Sequence, residues 1–319
     1  MQDTINLLHK ALGSAHQSDG LTPLYDERER RSIIDLLLEE VCGRTRVDRI
    51  LSPDWHPDEH QRNELARIAR QLSAGIPVQQ ALGYEWFCGQ KFHVTPDVLI
   101  PRPETAELID WIIQTLQPTQ PPSLLDIGTG TGCIAITLAR LINNSQVLGL
   151  DLSTAAINIA RANAYEQGVD NVHFAECDIL ECESESYFQQ VINRCQSAYQ
   201  QMADHCCQQR MNGNFQQVDI IVSNPPYICR KEATEMSALV LEHEPECALF
   251  VPDDDPLLFY RAIARFAHRH LSPQGMLFFE INAAYGPQTC QLLHDEGFLQ
   301  VKLRQDINGR DRMIRAMRN

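Results

Sequence analysis

The chain has 319 residues, 44% hydrophobic and 22% charged, and 27 Lys plus Arg against 42 Asp plus Glu give a formal charge of −15. That length supports one large or two modest domains with a real core, and the acidity makes free nucleic acid a poor partner. No run approaches the roughly 18 apolar residues of a membrane helix, and Met1-Gln2-Asp3-Thr4 lacks the basic and apolar regions of a signal peptide. The expectation is a cytoplasmic monomer with no membrane partner. Eleven cysteines without a C-x-x-C spacing read as reduced thiols rather than a disulfide framework or a metal site.

Residues 4–75 read as helices. Ile5, Leu8, Ala11 and Leu12 form a short amphipathic face behind Thr4 as N-cap. Residues 26–42 form a second helix, lined by Ile33, Ile34, Leu37, Leu38 and Val41 and closed by Gly43. Residues 58–74 form a third, with Leu65, Ile68, Ala69 and Leu72 on one side and Gly75 at the end. Nothing here has catalytic spacing, so residues 1–75 are expected to be a small helical docking domain. Over residues 76–98, Gly75-Ile76-Pro77 breaks the helix, and Tyr84, Trp86, Phe87, Phe92 and Val94 around Gly89 read as a β-hairpin linker.

The third segment, residues 99–319, opens with Leu99-Ile100-Pro101-Arg102-Pro103-Glu104-Thr105, where the prolines keep Ile100 and Arg102 extended ahead of a helix over 105–116. From Ser123 the pattern alternates strand and helix, the signature of a parallel sheet covered on both faces. Strands are expected at 123–127, 146–150, 171–176, 218–222 and 276–281, and helices at 132–141, 153–167, 256–270 and 286–296. Residues 298–317 read as two strands around Asn308-Gly309, giving the sheet an antiparallel edge. Residues 181–217 interrupt this rhythm. They hold nine Gln and four cysteines, are longer than a crossover needs, and read as a surface insertion.

Asp126-Ile127-Gly128-Thr129-Gly130-Thr131-Gly132 lies between a strand and a helix. Its glycines allow close backbone approach to a ligand, and the helix start offers unpaired N–H groups. The spacing is not G-x-G-x-x-G, so it is no clean dinucleotide motif. Asp151 ends the next strand, where a carboxylate accepts from two ribose hydroxyls, and Asp178 ends the third, within reach of an adenine edge. Taken singly, each acid is as well explained as a cap or solvated loop. Taken together they form a site for an adenosine carrying an amino-acid tail. After the fourth strand, Ser223-Asn224-Pro225-Pro226-Tyr227 ends the sheet in a rigid turn, since proline fixes φ at about −65° and cannot donate to a ladder.

These motifs together resemble the Rossmann-like S-adenosylmethionine-dependent methyltransferases. In that class, Asn-Pro-Pro-aromatic goes with methylation of a planar amine or amide nitrogen. Leu99–Thr105, residues 36–46 (LLLEEVCGRTR), Gly75-Ile76-Pro77 and His243-Glu244-Pro245 resemble the release-factor glutamine methyltransferases, the PrmC or HemK family. The resemblance implies S-adenosylmethionine as cofactor, S-adenosylhomocysteine as product, and the N5 of the glutamine in the Gly-Gly-Gln loop of a peptide chain release factor as acceptor. It implies cofactor contacts from Gly128, Thr129, Gly130, Thr131, Gly132, Asp151, Asp178, Ile179, Asn224 and Arg102, with Thr105 closing over the cofactor beside Arg102. Asn224 and Pro225 would accept the acceptor's N–H groups, with Pro226 and Tyr227 completing the substrate pocket. Ile179 stands where the family often has an aromatic residue, and residues 181–217 exceed its usual connection. A nucleic-acid adenine-N6 methyltransferase shares the core motifs and stays open, although the charge and Leu99–Thr105 argue against it. A binding protein on a retired methyltransferase fold is the reading from another class.

Overall fold

The computed structural model describes residues 2–16, 23–116, 120–182, 184–203 and 215–319. The chain packs as two compact units, Met1–Tyr84 with Thr234–Glu244, and Glu85–Ala233 with Pro245–Asn319.

The first unit contains α1 (Gln2–Ser14), α2 (Glu27–Cys42), α3 (Arg46–Leu51), α4 (Glu59–Ser73) and α5 (Val78–Leu82). Three of these helices start with reciprocal capping boxes, Asp26 with Glu29, Thr45 with Asp48 and Asp58 with Gln61, each satisfying orphan N–H groups of the first turn. Gly43 ends α2 at φ 63°. Thr4 is not an N-cap, because α1 already begins at Gln2. Leu8, Leu12, Leu37, Leu38, Leu65, Ile68 and Leu72 are fully buried and form the core that holds the helices together. The unit extends past residue 75: Val78 and Ala81 of α5 are buried in the same core.

The second unit begins with the hairpin β1 (Tyr84–Phe87) and β2 (Gln90–His93). Cys88 and Gly89 both have positive φ, 48° and 75°, as a tight primed turn requires. Next come α6 (Pro103–Thr115), β3 (Ser123–Ile127), α7 (Cys133–Leu141), β4 (Gln146–Asp151), α8 (Thr154–Glu166), β5 (Val172–Glu176), α9 (Glu185–Ala203), β6 (Val218–Ser223) and the short β7 (Ile228–Cys229). The chain returns to the first unit for α10 (Ala238–His243), where Gln80 Nε2 donates to His243 O at 2.7 Å. It continues with α11 (Glu246–Leu249), β8 (Phe250–Val251), α12 (Leu258–His270), β9 (Leu271–Glu280), α13 (Gly286–Asp295), β10 (Leu299–Gln305) and β11 (Asp311–Met317).

Seven strands form one sheet in the order β10-β11-β9-β6-β3-β4-β5. Pairs β3–β4, β3–β6, β4–β5 and β6–β9 are parallel, and β11 runs antiparallel to β9 and to β10. This is the Rossmann-like α/β architecture with an antiparallel C-terminal hairpin. Alternate strand residues enter opposite cores, as the two-residue period demands. Leu125, Leu148 and Ile221 face one core with α9, α12 and α13, while Leu124, Val147 and Ile220 face the other with α6, α7 and α8.

The expected surface insertion is corrected here. Phe188, Val191, Ile192 and Cys195 of α9 are at most 4% exposed and belong to the sheet's core. Phe188 meets Phe266 of α12 edge-to-face with centroids 4.8 Å apart. A parallel β5-to-β6 connection needs a helix to cross the sheet, and α9 is that helix. Residues 204–214, with Cys206 and Cys207, lie outside the described residues. Among the described residues no helix is long and apolar enough to cross a membrane, and no group of three or more His, Cys, Asp or Glu is arranged to hold a metal ion.

Truncating a buried core aromatic costs about 3–5 kcal/mol. Phe188→Ala is therefore expected to lower the urea midpoint of unfolding markedly, whereas a surface insertion would tolerate it with the midpoint unmoved.

Candidate active site

The strand order reverses at β3. The chain runs from β3 through β4 to β5 on one side and through β6 to β9 on the other. A cleft with about 840 Å³ of empty space, its open mouth included, lies at the carboxyl ends of these strands. Its walls combine Gly128 and Gly130 after β3, Asp151 to Ser153 after β4, Cys177 to Ile179 after β5 and Ser223 to Pro226 after β6.

The loop after β3 is shaped by backbone bonds. The N–H groups of Gly128 and Thr129 both donate to Leu150 O, at 2.8 and 2.9 Å. Gly130 has φ 54°, and a Cβ there would meet nothing within 4 Å, so its backbone is open toward the cleft. Gly132 has φ 80° and serves packing, since a Cβ would come within 2.9 Å of Ile136, 3.1 Å of Ala160 and 3.2 Å of Phe174. Thr129 and Thr131 are buried and brace the loop: Thr129 Oγ1 donates to Asp126 at 2.7 Å, and Thr131 O accepts from Asn163 at 2.9 Å. Thr129, Thr131 and Gly132 are therefore not among the residues lining the cleft.

Three acids end three neighbouring strands or stand next to their ends. Asp126 is fully buried, and its Oδ2 accepts from Thr129 Oγ1 at 2.7 Å and Ala135 N at 3.2 Å. Its Oδ1 is buried with no hydrogen-bond partner. Burial pushes this carboxyl up to about 7, against the opposing pull of its two donors. Asp151 lines the cleft and accepts from Gly130 N and Ser153 N, both at 2.9 Å. Burial raises its pKa, while these backbone donors favour its charged form. Each of its oxygens keeps a second lone pair for a ligand hydroxyl. Asp178 also lines the cleft, its Oδ1 accepting from Leu180 N at 2.9 Å, with Ile179 beside it.

On the fourth strand, Ser223 Oγ donates to Ile127 O at 2.6 Å and ties the end of β6 to the end of β3. Asn224, Pro225 and Pro226 line the cleft. The Asn224 side-chain amide forms no hydrogen bond to the described residues. Tyr227 does not line the cleft: its OH donates to Glu280 Oε1 at 3.4 Å and its carbonyl accepts from Asn282 Nδ2 at 3.1 Å. Arg102 stands at the N-cap of α6, away from the cleft lining, and Thr105 is buried with its hydroxyl donating to Glu280 Oε2 at 2.7 Å.

Sequence reasoning placed the stiff segment opening at Leu99 over the active site, and Leu99 does line the cleft; it missed Val98, Leu152, Phe259 and Ile263 of the apolar wall, and Asp97 beside them. The signal for Phe259 and Ile263 was their i, i+4 spacing on the helix expected over 256–270, which a core-facing stripe shows equally well.

The cleft accepts an adenosine with an amino-acid tail on the structure's own terms. It offers an open glycine backbone, a carboxylate with spare lone pairs and an apolar wall. Residues 122–250 match the methyltransferase domain family model, and residues 16–83 match the PrmC N-terminal domain. The chain is 40% identical over 299 residues to the release factor glutamine methyltransferase of Flavobacterium psychrophilum, covering 93% of this chain and 94% of that one. It is 38% identical over 305 residues to that of Bacteroides thetaiotaomicron, covering 96% and 99%.

The buried Asp126 carboxyl titrates at about 7 in the fold against an ordinary value of 3.8. A raised value means its stabilising contribution is full below the ordinary value and is lost as pH rises through the folded one. Relative to Asp126→Asn, the parent is expected to lose stability between pH 4 and pH 7, by roughly 4 kcal/mol at most. Urea unfolding of the ligand-free proteins across that range checks it; a constant difference would contradict it.

Proposed function

The chain belongs to the release factor glutamine methyltransferase family, and from that premise and the geometry of the cleft we propose that it methylates the N5 nitrogen of a glutamine in a peptide chain release factor, with S-adenosylmethionine as donor. The glutamine is that of the factor's Gly-Gly-Gln loop, and S-adenosylhomocysteine is the second product. The reading includes a cytoplasmic monomer whose residues 1–75 dock the factor, without membrane or free nucleic-acid partners.

The observation that carries the reading is the Asn224 amide: a planar polar group on the cleft wall, with no hydrogen bond to the described residues, beside two prolines. S-adenosylmethionine supplies an electrophilic methyl group on a sulfonium. Asp151 would hold its ribose hydroxyls, Asp178 and Ile179 would lie beside its adenine, and the backbone of Gly128 and Gly130 would face its amino-acid tail.

An amide nitrogen is a weak nucleophile because its lone pair is delocalised into the carbonyl. Asn224 Oδ1 and Pro225 O accept the two N–H bonds of the acceptor amide. This raises electron density on its nitrogen and fixes its direction of approach. Proline suits the second role, since it has no N–H to compete and its fixed φ holds the carbonyl still. No general base is needed, because the nitrogen becomes acidic once methylated and gives its proton to water.

Removing one such positioned acceptor costs about 10²–10³ in rate. Asn224→Ala is expected to lose that much single-turnover methyl transfer to a release factor while retaining a folded cleft; a rate close to the parent's would refute the mechanism. Transfer of labelled methyl to DNA or RNA, but not to the release factor, would instead select the adenine-N6 reading. Asp151→Ala removes two charge-assisted bonds to the ribose, and S-adenosylmethionine affinity is expected to fall about 10–100-fold by calorimetry.

A further inference from the structure

The end of β9 makes a set of contacts that methyl transfer, as described, does not use. Glu280 is 2% exposed, yet it is a carboxylate. Thr105 Oγ1, in the first turn of α6, donates to its Oε2 at 2.7 Å, and Tyr227 OH donates to its Oε1 at 3.4 Å. Two residues on, Asn282 Nδ2 donates to Tyr227 O at 3.1 Å, and Asn282 N donates to Tyr260 OH at 3.2 Å. Arg312 donates to Ile281 O at 3.3 Å and brings a compensating charge to the same strand end.

A buried carboxylate is costly, and an apolar residue of similar volume would fill the space at less cost if packing were all that was needed. What the carboxylate adds is direction. Each of its oxygens takes one hydroxyl, one from α6 and one from the tyrosine that closes the Asn224–Tyr227 turn. Asn282 holds the opposite end of that tyrosine by its main-chain carbonyl.

Resting on the methyl-transfer reading of this site, we propose that Glu280 is a positioning residue for Tyr227, and that with Asn282 it holds the Asn224–Tyr227 turn in the geometry that receives the acceptor amide. Tyr227 OH to Glu280 is long for an O–H···O bond, as contacts that tighten only with substrate in place often are. Glu280 acts through Tyr227 and touches neither acceptor nor donor.

The test compares Glu280→Leu, Glu280→Gln and Tyr227→Phe in the full-length protein, by single-turnover methyl transfer to a release factor, by calorimetry with S-adenosylmethionine, and by the ring resonances of ¹³C-tyrosine-labelled protein. Glu280→Leu is expected to slow transfer about 100-fold, the scale of a small misplacement of reacting groups, with cofactor affinity unchanged. Glu280→Gln, which can still bond both hydroxyls, is expected to recover most of the rate. Tyr227→Phe removes the hydroxyl that Glu280 holds, so its effect and that of Glu280→Leu should not multiply in the double variant. An unchanged rate in Glu280→Leu, or effects that multiply, overturns the proposal. If Glu280→Leu does not fold, the milder pair carries the comparison. The resonances need no acceptor: Tyr227 signals that shift in Glu280→Gln support the positioning role and unshifted signals overturn it. Failure of the parent protein to methylate any release factor would refute the function while leaving this readout intact.

Discussion

The site exists because the strand order reverses at β3. With β4 on one side and β6 on the other, both parallel to it, the chain leaves the end of β3 toward α7 on one face and goes on from the end of β6 to α12 on the opposite face. The loops after β3 and β6 must therefore part, and a cleft opens between them. The parting is kept narrow. Ser223 Oγ donates to Ile127 O at 2.6 Å, and an added Cβ on Gly128 would lie 3.8 Å from Asn224 O. The glycine loop and the Asn-Pro-Pro turn are thus neighbours by topology, though the bonded Ile127 and Ser223 are 96 residues apart in sequence. Every later feature of the site inherits that adjacency.

The acids at the strand ends show how burial and hydrogen bonding divide one residue type into different roles. Asp126 has lost its water and has two donors on one oxygen and none on the other, so its carboxyl is held near neutrality and its bonds brace the glycine loop. Asp151 has one backbone N–H on each oxygen, which supports its charge on a wall of the cleft. The Gly130 N–H that it accepts belongs to the same loop that Asp126 braces. A shift of the loop would move both acids at once, which makes the loop's rigidity, rather than any single contact, the condition for an ordered ligand site.

The strand ends were the most legible part of the chain. Continuous apolar runs stopping at Ile127, Asp151 and Asn224 marked a buried parallel sheet, and the structure places the strand ends within one residue of those marks. The helix α9 was harder to read. Phe188, Val191, Ile192 and Cys195 carry an i, i+3, i+4, i+7 stripe, but abundant Gln on the remaining faces made the segment look like a solvated excursion. Its place in the core follows from topology, which composition does not report. The partnership of Thr105, Tyr227 and Glu280 was not legible at all. The side chains are 53 and 175 residues apart in sequence and meet only when β9 is inserted beside β6. Local pattern names a strand's faces but not which distant hydroxyl its last carboxylate will hold.

In the proposed reaction the Asn224–Tyr227 turn supplies little chemistry and much geometry. The Pro225-Pro226 pair removes two donors and two soft dihedrals. The hydroxyl of Ser223, the carbonyl of Tyr227 and the hydroxyl of Tyr227 are all engaged, leaving the Asn224 amide as the turn's unengaged side chain. In the proposed reaction this turn receives a flat group with two N–H bonds, and both a glutamine amide and an adenine amine fit that description. Local contacts therefore cannot choose between them, because each presents the same two donors to the same two acceptors. The choice has to be made by what brings the acceptor to the turn. A formal charge of −15 disfavours, by bulk electrostatics, the phosphate backbone that carries an adenine. On the proposed reading, a protein loop carries no such charge along its backbone, so the acidic balance of the chain favours a glutamine over an adenine at a turn that contains no charged residue.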